Sequence, residues 1–328
     1  MFIRFFSFLI SATSIFLAPL GVVQAQNSNS YFPNRPITLV VPYTSGTTAD
    51  ILARNIGTQL SIKLKTPILV DNRAGASGII GTDLVAKAQP NGYTLLFTAT
   101  SHGTIPALKD KLPYDALNSF TPIILLAKST MGLAINPTLP INSVKEFIEY
   151  TKNHPKESYY SSPGAGGIQH LAMELLAQEL NLRLTHVPYK GAAGAITDLI
   201  AGQVQSSIVS MQTSSSFINS GQIKMLAVLS EDRSSAYPNI PTFKEIGFNG
   251  LIVDTWYGVL APANLPIEIL NRLNSEINEL LSLAENHEKF NKLGLEVVGG
   301  KPDILKRLVT SELTKWKRVV KTGNIEVN

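Results

Sequence analysis

Two segments of this chain carry residue types suited to holding an anion. The first is Val41-Pro-Tyr-Thr-Ser-Gly-Thr-Thr-Ala-Asp50 and the second is Ser161-Ser-Pro-Gly-Ala-Gly-Gly-Ile-Gln-His170. In each, a short strand runs into a turn of small residues that opens a helix. The first N–H groups of a helix have no internal partner and carry the positive end of its dipole. Small residues let a ligand approach those N–H groups closely. Hydroxyls at Thr44, Ser45, Thr47, Ser161 and Ser162 add donors, and neither turn contains Lys or Arg. Such a site takes a carboxylate or another oxyanion on neutral dipoles, which suits reversible uptake better than tight sequestration. The candidate contacts are Tyr43, Thr44, Ser45, Gly46, Thr47 and Asp50 from the first turn. From the second they are Ser162, Pro163, Gly164, Ala165, Gly166, Gly167 and His170. Turn chemistry without a ligand accounts for the same pattern, because Gly-rich turns between strand and helix are common. The second turn lacks the full dinucleotide spacing, and there is no Walker lysine. Thr47 and Asp50 also fit a capping box, which gives Asp50 a structural role.

Catalytic patterns are weaker. The five histidines, His102, His154, His170, His186 and His287, form no metal-binding H-x-x-x-H or H-x-H pair. No G-x-S-x-G elbow is present, and the serines of the two turns have no base nearby in sequence. His170 is read as a neutral side chain donating a local hydrogen bond. Asp254, two residues before Trp256, is the one acid expected near a hinge, where it lines a cleft or caps a turn. The absence of cysteine removes disulfides, thiolate zinc sites, iron–sulfur clusters and thiol catalysis. The expectation is therefore a non-enzyme with no cofactor and no metal.

The elements that must position these turns follow from apolar spacing. Residues 37–41, 68–70 and 93–97 read as strands, with helices over 47–60 and 79–88 and a Gly/Ala/Ser loop over 72–78 between them. Strand, glycine loop, helix and strand in alternation indicate a parallel sheet with crossover helices. Residues 120–135 form a long apolar stretch with a break expected near 128–132. It divides there into a strand ending a first domain and another entering a second. Helices at 144–153, 168–180, 193–201 and 215–220 then alternate with strands at 158–162, 185–189, 206–211 and 224–229. A strand at 256–260 crosses back, and amphipathic helices cover 266–283, 285–293 and 302–321, with Pro266 and Pro302 placed for first turns.

The chain has 328 residues, enough for about two domains. A net charge of +4 is too dilute for a nucleic-acid binder, and Lys315-Trp316-Lys317-Arg318 reads as a solvated helix end. Residues 1–25 read as a cleavable secretory leader: Arg4, an apolar run broken by Pro19 and Gly21, then Val23-Gln24-Ala25 with the cut after Ala25. The expected location is the periplasm.

Several ordered segments carry a family likeness. They are Pro36-Ile-Thr-Leu-Val-Val-Pro42, Asn72-Arg-Ala-Gly-Ala-Ser-Gly-Ile-Ile-Gly81, Ala86-Lys-Ala-Gln-Pro-Asn-Gly-Tyr-Thr-Leu-Leu96, His186-Val-Pro-Tyr-Lys-Gly191, Leu199-Ile-Ala-Gly-Gln-Val204, Leu226-Ala-Val228 and Trp256-Tyr-Gly-Val-Leu-Ala-Pro262. Across the chain after the leader, this resembles the substrate-binding proteins of tripartite tricarboxylate transporters, the Bordetella uptake gene family. The resemblance implies an α/β fold of the type II periplasmic-binding-protein kind. Two α/β domains, each in three α/β/α layers, are joined by crossing hinge strands and close on a ligand. It places domain 1 at 33–127 plus 251–328 and domain 2 at 128–250. It implies a small carboxylated ligand such as citrate, a dicarboxylate, an amino acid or a nicotinate-like acid. That ligand rests on the turns at 43–50 and 161–170 with ordered water and is delivered by a monomeric receptor to membrane transporter subunits. Side chains reading the distal end of the ligand are expected among Tyr43, Asn72, the loop with Ser77 and Gly78, Thr100 to His102, Met211 and Asp254. Departures from the family pattern are Thr47 after Gly46, Gly167 in place of a hydroxyl residue and Gln205 in place of an acid. Presentation of the ligand to a two-component kinase, and a secreted hydrolase using the serine-rich turns, are the competing readings.

Overall fold

The computed structural model describes residues 32–211 and 213–326; the expected leader at 1–25 lies outside them. β1 (Ile37–Val41), α1 (Thr48–Leu64), β2 (Ile68–Asn72), a 3-10 turn at Ala76–Gly78, α2 (Ile79–Ala86), β3 (Thr94–Ala99) and α3 (Ser101–Leu108) come first. β4 (Phe120–Ile135), α4 (Val144–Asn153), β5 (Tyr159–Ser162), α5 (Ile168–Leu180), β6 (Thr185–Pro188), α6 (Ala192–Ile200), β7 (Ser206–Ser210), α7 (Ser215–Asn219) and β8 (Lys224–Val228) follow. The chain returns through β9 (Asp254–Pro262) and ends with α8 (Ile267–Leu281), α9 (Ala284–Lys292), β10 (Glu296–Val297) and α10 (Pro302–Gly323).

The strands run in the order β2-β1-β3-β9-β4-β7-β5-β6, with β8 and β10 also on β4. β1 is parallel to β2 and β3, and β5 is parallel to β6 and β7, as the crossover pattern requires. β9 lies antiparallel between β3 and β4. The break expected near 128–132 is absent, because β4 is one continuous strand. It pairs with β9 up to Thr130↔Asp254 and with β7 from Met131↔Ser210 onward. The polar residues that suggested a break have partners at this handover: Lys128 Nζ is 3.8 Å from Asp254, and Ser129 Oγ is 3.3 Å from Ser210 Oγ.

Alternation along the strands divides the core into layers. Leu39, Val41, Leu95 and Phe97 meet α1 and α8 on one face of the first sheet, while Val40 and Leu96 meet α2 and α10 on the other. In the second sheet Leu133, Tyr160 and Ile208 face α4 and α5, and Ala134 and Val209 face α6 and α7. Strands covered on both faces read as continuous apolar runs. α10 belongs to both halves. Its Leu305 and Val309 enter the first core, and its Trp316 and Val319 enter the second. The basic run in α10 is therefore not simply a solvated end: Trp316 is buried, and Lys315 Nζ donates to the Ile252 carbonyl at 2.7 Å.

Glu312, between those two halves of α10, is 1% exposed and accepts the Trp256 indole N–H at 2.8 Å. Burial pushes its carboxyl from 4.5 up to about 7, against the pull of Lys315. An acid raised in the folded state stabilises below its unfolded value, and that contribution is lost as pH rises through the folded one. Urea unfolding should therefore find Glu312→Gln more stable than wild type near pH 8 and nearly equal near pH 4.5. An identical difference at both pH values would refute this account of Glu312.

Candidate functional site

The first turn is built around Asp50, which is 3% exposed. Thr47 caps α1 by accepting the Asp50 N–H at 3.4 Å. The return half of the expected capping box is shifted by one residue, since the Asp50 carboxylate accepts from the Gly46 N–H at 2.9 Å. It also accepts from the Ser45 hydroxyl at 3.2 Å, Asn72 Nδ2 at 2.9 Å and Arg54 at 3.0 Å. Burial alone would raise this carboxyl, but the bonds from Arg54, Gly46 and Asn72 outweigh it and hold it at about 2. The Gly46 N–H and Asn72 are thus committed to Asp50. The N–H groups of Thr48 and Ala49 are the ones left without an intrahelical partner. Thr44, Ser45 and Gly46 are exposed, and the Thr47 hydroxyl donates to the Thr44 carbonyl. Tyr43 turns its hydroxyl to the start of α3, 2.6 Å from Ser101 Oγ, and accepts the Ala99 N–H at 3.1 Å.

The second turn is knotted by Ser162. Its buried Oγ accepts the Gly164 N–H at 3.2 Å and lies 2.6 Å from His186 Nε2. Gly166, in the left-handed region at φ +75°, donates its N–H to His170 Nδ1 at 3.0 Å. His170 therefore accepts where a donor was expected, and burial pushes its imidazole toward the neutral form that can accept. Gly167 caps α5 without any side-chain bond, so the N–H groups of Ile168 and Gln169 have no partner within the helix.

A cavity of about 330 Å³ joins this turn to the first half of the molecule. Ser77, Thr100, Ser101, Thr104 and Lys109 line one side, and Ala165, Gly166, Gly167 and Ile168 line the other. Gly78 is buried behind it, where an added Cβ would lie 3.4 Å from the Pro42 carbonyl. Tyr43, through Ser101, ties the first turn to the same wall. Pro163 instead lines a small recess beside α6. Asp254 lies at the strand handover with Lys128, and burial raises its carboxyl to about 6. Met211 lines a different cavity of about 460 Å³ with Ser129, Thr130, Tyr237 and Glu296. His102 is a core residue, 2.8 Å from the Ala116 carbonyl and packed against Phe120.

Two parts of the site escaped sequence reasoning. Ser101 was among the expected candidates, but the helix α3 that carries it and adds Thr104 was not, because it contains Gly103 and Pro106, residues that read as breakers. Gly103 is required by packing, since a Cβ there would stand 2.5 Å from the Glu312 carboxylate. His186 is 24 residues from Ser162, and only the pairing of Tyr160 with His186 across β5 and β6 brings them together. Among the described residues, no three His, Cys, Asp or Glu side chains gather to hold a metal ion. No helix there is long and apolar enough to cross a membrane.

Comparison with known proteins agrees with this architecture. The family model of the tripartite tricarboxylate transporter family receptor matches residues 52–325. A protein from the tcbD-tcbE intergenic region of Pseudomonas sp. (strain P51) is 35% identical over 298 residues, covering 90% of this chain and 89% of that one. An R. palustris protein solved with adipate is 34% identical with a TM-score of 0.72, over 90% of this chain and 99% of that one. The periplasmic binding protein BugD is 32% identical, TM-score 0.69, over 90% and 99%. MatC from Rhodopseudomonas palustris, with bound malate, is 30% identical, TM-score 0.69, over 88% and 100%. The shared fold is the α/β type II periplasmic-binding-protein fold, in which two α/β domains are joined by crossing strands.

The Asp50 cluster yields a stability test. Asp50→Ala leaves the Gly46 N–H without its partner and Arg54 with Asn72 alone, which should cost about 1–3 kcal/mol in urea unfolding at neutral pH. The folded carboxyl lies below its unfolded value of 3.8, so the contribution is present above that value and lost as pH falls through about 2. Unchanged stability at neutral pH would show that the cluster does not brace the turn.

Proposed function

Because the chain belongs to the tripartite tricarboxylate transporter receptor family, we propose that it is an exported solute receptor for a small carboxylate. The carrying observation is the pair of helix starts. Neutral N–H groups at α1 and α5 are left without intrahelical partners, and the α5 start borders a cavity large enough for a small acid. The relatives solved with adipate and with malate support the ligand class. Under this reading the leader at 1–25 is cleaved after Ala25 and the mature protein works in the periplasm. Residues 33–127 plus 251–328 and 128–250 form the two lobes that close on the ligand, and the closed form is handed transiently to membrane transporter subunits. Closure excludes water and strengthens the dipole–carboxylate contacts. A hydrolase is disfavoured because Ser162, the serine with a histidine partner, is fully buried and its oxygen already bonds the Gly164 N–H.

Proline at the first helical position removes one N–H yet suits the fold. Thr47 and Gly167, the residues before those positions, have ψ of 159° and 160°, the extended geometry that a following proline requires. Thr48→Pro and Ile168→Pro should therefore keep the far-ultraviolet spectrum of the wild type. Both should weaken binding of adipate or malate about tenfold or more in calorimetry, as loss of a charge-assisted bond implies. Wild-type affinity in both variants would place the ligand elsewhere.

A further inference from the structure

Beneath the second turn lie two stacked imidazoles. The rings of His170 and His186 have centroids 3.9 Å apart and an interplanar angle of 10°. Tyr160 extends the stack, 4.8 Å from His186. Three elements supply these groups: Tyr160 from β5, His186 from β6, and His170 with Glu174 from α5. The Tyr160 hydroxyl donates to Glu174 Oε1, and His170 Nε2 lies 4.0 Å from the same oxygen. On the side of the turn, both imidazoles act on glycine N–H groups. His170 Nδ1 accepts from Gly166 directly, and His186 Nε2 lies 2.6 Å from the Ser162 oxygen that accepts from Gly164. A serine hydroxyl has one proton. The Gly164 carbonyl at 3.0 Å and His186 Nε2 at 2.6 Å both face that proton; donated to the nearer His186, it leaves the oxygen lone pairs free for the Gly164 N–H.

We propose that His170 and His186, as neutral imidazoles, are positioning residues of the ligand site. They fix the second turn by accepting, directly and through Ser162, the N–H groups of Gly166 and Gly164. The start of α5 then keeps its Ile168 and Gln169 N–H groups pointed outward. This inference rests on the reading that the second turn holds the carboxylate. Neither histidine needs to touch the ligand.

The arrangement works only while both rings are uncharged. A proton on His170 Nδ1 would face the Gly166 N–H donor to donor, and two stacked imidazolium rings would repel. Burial lowers both imidazoles, with the neighbouring His170 adding to the effect on His186, which falls from 6.5 to about 4. Glu174 does not offset this, because burial raises its own carboxyl. The turn is therefore held above the ordinary histidine range and released as pH falls from 6.5 toward about 4.

The test compares His170→Leu with His170→Asn, because the Asn side-chain oxygen falls near the position of Nδ1. Calorimetry with adipate near neutral pH should show His170→Leu weakened about tenfold, and His170→Asn recovering all but about threefold of that loss. Wild-type affinity should hold near neutral pH and fall as pH drops from 6.5 toward about 4, and the His170→Asn profile should be flatter. Equal affinities in the two variants, or an unmoved pH profile, would overturn the proposal. Ile168→Pro separates the two levels. If it loses adipate while His170→Leu does not, the carboxylate reading stands and the positioning role fails. If wild type binds neither adipate nor malate, nitrogen-15 spectra decide the positioning role alone. A proton on His170 Nε2 with a protected Gly166 amide supports it, and a proton on Nδ1 or a freely exchanging amide overturns it.

Discussion

The antiparallel pairing of β4 with β9 is the constraint on which the rest of the molecule depends. Its register runs from Phe120↔Pro262 to Thr130↔Asp254, and β4 then continues into the second sheet at Met131↔Ser210. Because β9 also runs antiparallel to β3, its start lies beside the end of β3, with Ala99 opposite Tyr257. The carboxyl end of β3 and that of β7 are thereby brought to the same few residues of β4 and β9. In open α/β sheets, ligands bind outside the carboxyl ends of the strands. The register of two long strands thus determines where the start of α3 faces the turn after β5, with the turn after β1 tied to α3 through Tyr43.

The same place collects buried charge. Lys128 and Asp254 come from the crossing strands, and Glu312 and Lys315 come from the part of α10 that passes from one core to the other. Burial raises both acids, so the fold gains from keeping them protonated. The histidine pair under the second turn has the opposite preference, since its rings must stay uncharged. The strand handover is held by groups whose bonding changes with charge, while α10 ties the two cores together along its length.

Much of the fold was legible in the sequence because both sheets are covered on two faces. Ile37 to Val41 and Thr94 to Ala99 show themselves as largely apolar runs, and helices α4 and α5 match their expected limits. What was not legible depended on contacts distant in the chain. Lys128, Ser129 and Thr130 look like a break until Asp254 and Ser210 are placed beside them. Gly103 looks like a helix breaker until Glu312 is seen to fill the space of its missing side chain. In the site, the two turns were readable from small residues before a helix. The roles of the partners that organise them were not: Asn72 was expected to read the ligand and instead braces Asp50, and His186 meets Ser162 only through strand pairing distant in sequence.

The first turn offers no formal cation of its own, although Lys109 lines the cavity beside the second. Arg54 is close enough to matter, yet it is bound to Asp50 and Asn72, and Asp50 in turn draws on the Gly46 N–H. The pair cancels in charge and leaves a rigid turn. A buried cation offered to a carboxylate would have to be stripped of water in the empty receptor, at a penalty of several kcal/mol. Backbone N–H groups at a helix start carry only partial charge, so their desolvation is mild and their attraction grows when closure removes water. Under the proposed receptor function, binding strength is then set largely by how completely the lobes close, and reopening alone weakens it. That property lets a receptor release what it carries, and it places the burden of precision on the groups that hold the two turns in shape.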